Sequence, residues 1–134
     1  MKTFTARQAL GRKVKGEALV AKDGFSARYD LDRIKGIFSR EAHQLSGQSY
    51  VGRILVLETA KGGVATAWML REMASRGVVP LALVFNSVNP IIAQGAAFGD
   101  VTLMAGFEVD ITGAVPNGCT VEIDPAARTL RVVE

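Results

Sequence analysis

The stretch from Arg53 to Phe85 limits the folds open to this chain more than any other part of it. Arg53-Ile54-Leu55-Val56-Leu57 is an apolar run of strand length, the pattern of a strand covered on both faces. It ends at Glu58-Thr59-Ala60-Lys61-Gly62-Gly63, whose glycines mark a tight turn. From Val64 to Arg76 the residues read as a helix, with Val64, Ala67, Trp68, Leu70, Met73 and Ala74 along one broad apolar side. Glu72 and Arg76 form an i,i+4 pair, and Gly77 stands where a helix commonly stops. Pro80 then leads into Leu81-Ala82-Leu83-Val84-Phe85, a second buried strand. Strand, turn, helix and strand predict a βαβ unit with a right-handed crossover.

The remaining segments are shorter. Gly16 to Ala21 is a strand candidate, followed by the loop Lys22-Asp23-Gly24. Phe25 to Gln48 is polar, with Ser26, Arg28, Asp30, Asp32, Arg33, Ser39, Arg40 and His43, and suits either a surface loop or the wall of a site. Asn89-Pro90 is expected to open a short helix over Ile91 to Phe98, stopped at Gly99-Asp100. Val101 to Met104 reads as a third strand of the same layer. Cys119 to Ile123 and Thr129 to Val133 alternate across Asp124-Pro125-Ala126-Ala127 as a hairpin does. A chain of 134 residues supports one core, so residues 1–134 are expected to form a single α/β domain. A βαβ layer with hairpin sequence at both ends favours a mixed barrel or sandwich over an open doubly wound sheet.

Composition narrows the function. Hydrophobic residues make up 49% and charged residues 22%, which is ordinary for a folded domain. No apolar run approaches the roughly 18 to 20 residues that cross a bilayer, and the first residues lack the apolar centre of a signal peptide, so a cytoplasmic location is expected. Residues 1 to 40 carry a net +6 and the rest −3, for the total of +3. The basic residues are scattered without interleaved aromatics, which argues for a solvated face and against nucleic-acid binding. One cysteine, Cys119, and one histidine, His43, cannot assemble a zinc site or ligate an iron–sulfur cluster. Cys119 reads as a small core residue and Trp68 as helix packing.

The turn Lys61-Gly62-Gly63 is the leading candidate for chemistry. Free N–H groups and the positive end of a helix dipole favour an anion there, and Lys61 adds a charge. It is neither a Walker A loop nor Gly-x-Gly-x-x-Gly. The loop after Phe85, including Asn89, falls at the carboxyl end of a neighbouring strand, where α/β proteins commonly bind ligands. Thr66 is the one hydroxyl just past the turn, and His43 is the chain's one imidazole, a residue type suited to general-base work.

Gly47-Gln48-Ser49-Tyr50-Val51-Gly52-Arg53-Ile54-Leu55-Val56, then Lys61-Gly62, then Asn89-Pro90-Ile91-Ile92-Ala93-Gln94-Gly95-Ala96, resembles the small subunit, or swivel domain, of aconitase X. The similarity runs in order over about residues 16 to 124. The resemblance implies the swivelling β/β/α barrel of aconitase domain four. It implies a large-subunit partner that carries an iron–sulfur cluster, with no cofactor in this chain. It also implies dehydration of a small anionic hydroxy acid, such as cis-3-hydroxy-L-proline or, in archaea, phosphomevalonate. The large subunit's metal would take the hydroxyl as a Lewis acid.

Family members usually carry Arg or Lys, then Gly, Ser and Ser after the strand, one serine being the base. Here Lys61 and Gly62 match, while Gly63 and Val64 occupy the serine positions. By this resemblance Lys61, Gly62, Gly63 and Asn89 bind the substrate anion, and Thr66 and His43 are the candidates for proton transfer. The expected role is a subunit of a hydro-lyase that is not active alone. The alternative is a non-catalytic module of the same fold that binds an anion or a partner.

Overall fold

Alternation of apolar residues decides which side of each strand is buried, and in the central strands both sides are. The computed structural model describes residues 2–26, 30–60, 64–88, 96–97 and 100–133, the side chains of 64–67 excepted. Among these the chain runs through β1 (Lys2–Thr5), β2 (Gln8–Leu10), β3 (Val14–Val20), β4 (Gly24–Phe25), β5 (Leu31–Asp32), β6 (Ile37–Phe38) and β7 (Ile54–Ala60). Helix α1 (Val64–Ser75), β8 (Ala82–Ser87), β9 (Thr102–Ala105), the one-turn helix α2 (Ile111–Ala114), β10 (Thr120–Asp124) and β11 (Thr129–Val132) follow.

β3, β7, β8 and β9 are parallel neighbours, with Leu19 opposite Leu55, Leu55 opposite Leu83 and Leu83 opposite Leu103. Ile54 and Val56 of β7 join Ala82, Val84 and Met104 in one apolar cluster, closed by α2, β10 and β11. Leu55 and Leu57 join Leu83, Phe85 and Leu103 in a second cluster on the opposite face, under Leu70 and Met73 of α1. Burial on both faces is why Ile54 to Leu57 shows no polar alternation. β7 runs three residues past the predicted Leu57 because Thr59 and Ala60 pair with Gly24 and Phe25 of β4. β3 begins at Val14 rather than Gly16, because Val14 and Lys15 already pair with β10.

Helix α1 ends one residue before the predicted Arg76. Gly77 (φ +73°) follows, and the Val78 amide donates to the Met73 carbonyl at 3.0 Å, so the last turn closes as a Schellman motif. Glu72 and Arg76 pair as expected. Trp68 does not pack inward as predicted: it is 61% exposed, with the Arg71 guanidinium 5.5 Å from its ring centre. Leu70 and Met73 fill the inner face, and Trp68 lies outside their sector. Of the helix predicted over Ile91 to Phe98, only Ala96 and Ala97 are described, both helical.

The carboxyl-terminal hairpin forms as expected, with Ile123 opposite Leu130. The amino-terminal end is not a hairpin. β1 pairs antiparallel with β11, and β2 pairs antiparallel with β9. The strand order β1-β11-β10-β3-β7-β8-β9-β2 therefore begins and ends on two consecutive pieces of chain. They are joined by Ala6, whose amide donates to the Arg128 carbonyl at 2.8 Å, and Arg7, whose amide donates to the Gly106 carbonyl at 2.8 Å. The chain itself thus links both edges of the strand order, a mixed, sheet-dominated α/β single domain.

The described residues of the polar stretch, Phe25, Ser26 and 30–48, cover the second cluster, and Arg28 lies outside the described residues. Phe25, Leu31, Phe38, Leu45 and Tyr50 are buried against it, and β5 and β6 form a small ladder. Its polar groups largely satisfy one another. Buried Asp30 accepts from the Ser26 amide at 3.0 Å and from the Arg40 guanidinium at 3.0 Å.

Candidate functional site

Parallel strands that end together leave their last side chains along one edge, with no further ladder to fill. β7 ends at Ala60, immediately before Lys61-Gly62-Gly63, and β8 ends at Ser87, two residues before Asn89. Lys61, Gly62, Gly63 and Asn89 lie outside the described residues, as does the Thr66 side chain. Thr59 and Ser87 are opposite in register, and the Ser87 hydroxyl donates to the Thr59 hydroxyl at 3.3 Å. Sequence reasoning passed over this pair. Its signal was a hydroxyl residue closing each of two apolar runs at matching positions.

Asn86 lies beside them and is committed to structure. Its amide nitrogen donates to Asp110 Oδ1 at 2.8 Å, and its amide oxygen accepts from the Ile111 amide at 2.8 Å. Asp110 caps α2: the Thr112 amide donates to Oδ1 at 3.1 Å and the Thr112 hydroxyl at 2.6 Å. The Thr112 hydroxyl, then the Asn86 amide, hold this carboxyl below the ordinary 3.8. Lys22, past the end of β3, stands 3.9 Å from the other oxygen. This network fixes the loop after β9 against the end of β8.

His43 is buried at 3% exposure, and its ring stacks on Phe38 with centres 4.6 Å apart. Nε2 lies 2.8 Å from the Gly24 carbonyl and Nδ1 accepts from the Leu45 amide at 3.0 Å. The pattern assigns the proton to Nε2 and occupies both ring nitrogens. The ring thereby ties residues 43–45 to the loop before β4. Asp23 completes the tie, accepting from the Gly24 amide at 2.8 Å and the Gln44 amide at 3.2 Å. Burial pushes the Asp23 carboxyl up, and these amides outweigh it, so the net shift is downward. Cys119 is half-buried against the first cluster, and burial pushes its thiol up.

Two concavities open along the same edge. One, of about 220 Å³, is bounded by Asn86, Ser87, Arg7 and Gly106. The other, of about 530 Å³, extends from Arg7 and Gly106 along β1 to Phe107, Glu108 and Arg128. Arg7 and Gly106 form a wall of both. The described part of this edge offers a pair of hydroxyls and, in the smaller concavity beside Ser87, the Arg7 side chain.

Known proteins match the chain in sequence and fold. The family described as the aconitase X swivel domain matches residues 3–132. The phosphomevalonate dehydratase small subunit of Methanopyrus kandleri is 30% identical over 115 residues, 86% of this chain and 85% of that one. Its counterpart in Archaeoglobus fulgidus is 29% identical over 131 residues, 98% of each chain. The crystal structure of Thermococcus kodakaraensis aconitase X in its holo-form superposes with a TM-score of 0.91 at 24% identity, covering 100% of both chains. A structure solved by solution NMR superposes with a TM-score of 0.88 at 29% identity, covering 99% of this chain and 100% of the other. The family match over residues 3–132, the relative at 30% identity and the superposed folds place the chain in the aconitase X swivel domain family.

Proposed function

We propose that this chain is the small subunit of a dehydratase acting on a phosphorylated hydroxy acid, and that it closes a site shared with a large subunit. The observation that carries the reading is the relatives themselves: phosphomevalonate dehydratase small subunits align with it over most of their length. In this reading Lys61, Gly62 and Gly63 hold the substrate carboxylate at the start of α1, where amides and dipole favour an anion. Asn89 borders the same anion from the neighbouring loop.

The partner is expected to hold an iron–sulfur cluster, which when bound supplies a Lewis acid for the departing hydroxyl. The residues of this chain do not fit such a cluster. Cys119 is its single cysteine, and among the described residues no group of His, Cys, Asp and Glu is placed to hold a metal ion. For proton transfer Thr66 is the hydroxyl nearest in sequence to the serine positions taken by Gly63 and Val64. Thr59 and Ser87 are the described hydroxyls at the end of the same strands. His43, with both nitrogens engaged, is assigned to positioning rather than to proton transfer.

The missing serines favour a second reading, a non-catalytic module of this fold that binds the anion without removing a proton. One experiment separates the two. This chain is assembled with the large subunit encoded in the same genome, and loss of water from phosphomevalonate is followed by NMR. Activity that falls about tenfold or more in kcat/KM for Lys61→Ala supports the dehydratase and the role of Lys61. A wild-type complex with no turnover supports the module.

A further inference from the structure

We propose that Arg7, held across Gly106 and braced by Arg128, binds the phosphate of the substrate at the far end of the cleft. This rests on the dehydratase reading and adds the place of the second anion. The smaller concavity is bordered by Ser87, whose hydroxyl bonds to Thr59 of β7, and Arg7 is the cation that joins it to the larger one. In the proposed reading the residues after β7 take the carboxylate, and Arg7 is the cation in the concavity that borders Ser87 at the end of the neighbouring strand.

Arg7 is set in place by the fold. Its amide donates to the Gly106 carbonyl at 2.8 Å, and its carbonyl accepts from the Arg128 guanidinium at 3.5 Å. Gly106 has φ +83°, and a Cβ there would come 3.1 Å from the Arg7 Cβ and 3.4 Å from its Cγ. Only glycine lets the Arg7 stem lie so close. Arg128 has φ +56°, a conformation uncommon outside glycine, and its carbonyl takes the Ala6 amide at 2.8 Å. Two segments thus converge on the one bend between β1 and β2.

The charges are unspent. Arg12, Arg40, Arg53, Arg76 and Arg131 each pair with a carboxylate. Among the described residues no carboxylate pairs with Arg7 or Arg128, although Glu108 lines the larger concavity with them. The cleft therefore keeps a positive excess, and guanidinium groups suit the charge-assisted binding of a phosphomonoester.

The test titrates the isotope-labelled full chain with inorganic phosphate at constant ionic strength. The amide signals of Arg7, Gly106 and Arg128 are expected to shift together. Affinity is expected to fall about tenfold in Arg7→Gln and to be partly restored in Arg7→Lys. Shifts spread over all basic residues, or unchanged in Arg7→Gln, would mean adventitious binding and overturn the proposal. In the assembled complex, Arg7→Gln is expected to raise KM for the phosphorylated acid about tenfold, with a smaller effect on kcat. A fall in kcat at constant KM would instead count against it. If the wild-type complex turns over no phosphorylated acid, the dehydratase reading falls, and the phosphate titration still decides whether Arg7 forms an anion site.

Discussion

Asp110 accepts three hydrogen bonds on one carboxylate oxygen, two from Thr112 and one from Asn86. The Thr112 hydroxyl, and then Asn86, hold it below its ordinary value, so the folded chain binds a proton there less readily than the unfolded chain does. The contribution of this charge is complete above the unfolded value of 3.8 and is lost as pH falls through the lower folded value. Wild-type protein is therefore expected to be more stable than Asp110→Asn at neutral pH, with the gap closing below about pH 4. Thermal melts at pH 7 and pH 3 check this, and a gap of equal size at both would contradict it. His43 makes the related point about legibility. A lone histidine in a polar stretch reads as a candidate base, but what occupies it is the Phe38 ring and two backbone groups. The Gly24 carbonyl is 19 residues away in sequence, and nothing in the local pattern announces it.

Helix α1 shows how an element divides its residues between core and solvent. Leu70 and Met73 are buried against the strands, while Trp68 and Arg71 meet outside. Leu70→Ala is expected to cost about 2 to 5 kcal/mol, because it opens a cavity against a closely packed cluster. Trp68→Ala is expected to cost well under half as much, since the ring keeps most of its surface in water. Urea denaturation of the two variants separates these outcomes, and equal losses would show that the outer face is packed. Apolarity alone does not place Trp68, because a large ring beside an arginine stem sits stably on a surface. The end of the helix was legible because Gly77 is local chemistry: a residue at φ +73° closes the last turn.

At the scale of the whole molecule, residues 2–10 bind both edges of the strand order. β1 covers β11, and β2 covers β9. Deleting residues 1–10 is expected to abolish cooperative unfolding and to produce concentration-dependent association, because two strand edges then stand open. Gel filtration and denaturation of the truncated chain check it, and a monomer with an unchanged transition would show that closure is dispensable. Among the described residues no helix is long and apolar enough to cross a membrane, so no helical span competes with this scheme.

Residues near one another in sequence settled the order of the central elements. The apolar runs at Ile54 to Leu57 and Leu83 to Phe85, the helix between them and the alternating hairpin at Thr120 to Val132 all form from local periodicity. The Gly turn reads as a candidate site for the same reason, since a helix start carries its unpaired amides wherever it occurs, and it lies outside the described residues. Tertiary structure alone decided the rest. β1 and β2 are short and mostly polar, and they become strands only because distant edges need partners. Phe25, Leu31, Phe38 and Leu45 became a core cover because these scattered apolar residues face one layer. Arg7 and Arg128 meet across 121 positions because the bend that closes the strand order is shared between them. Periodicity reports a residue's neighbours along the chain, whereas a contact between its two ends exists only once the sheet has folded.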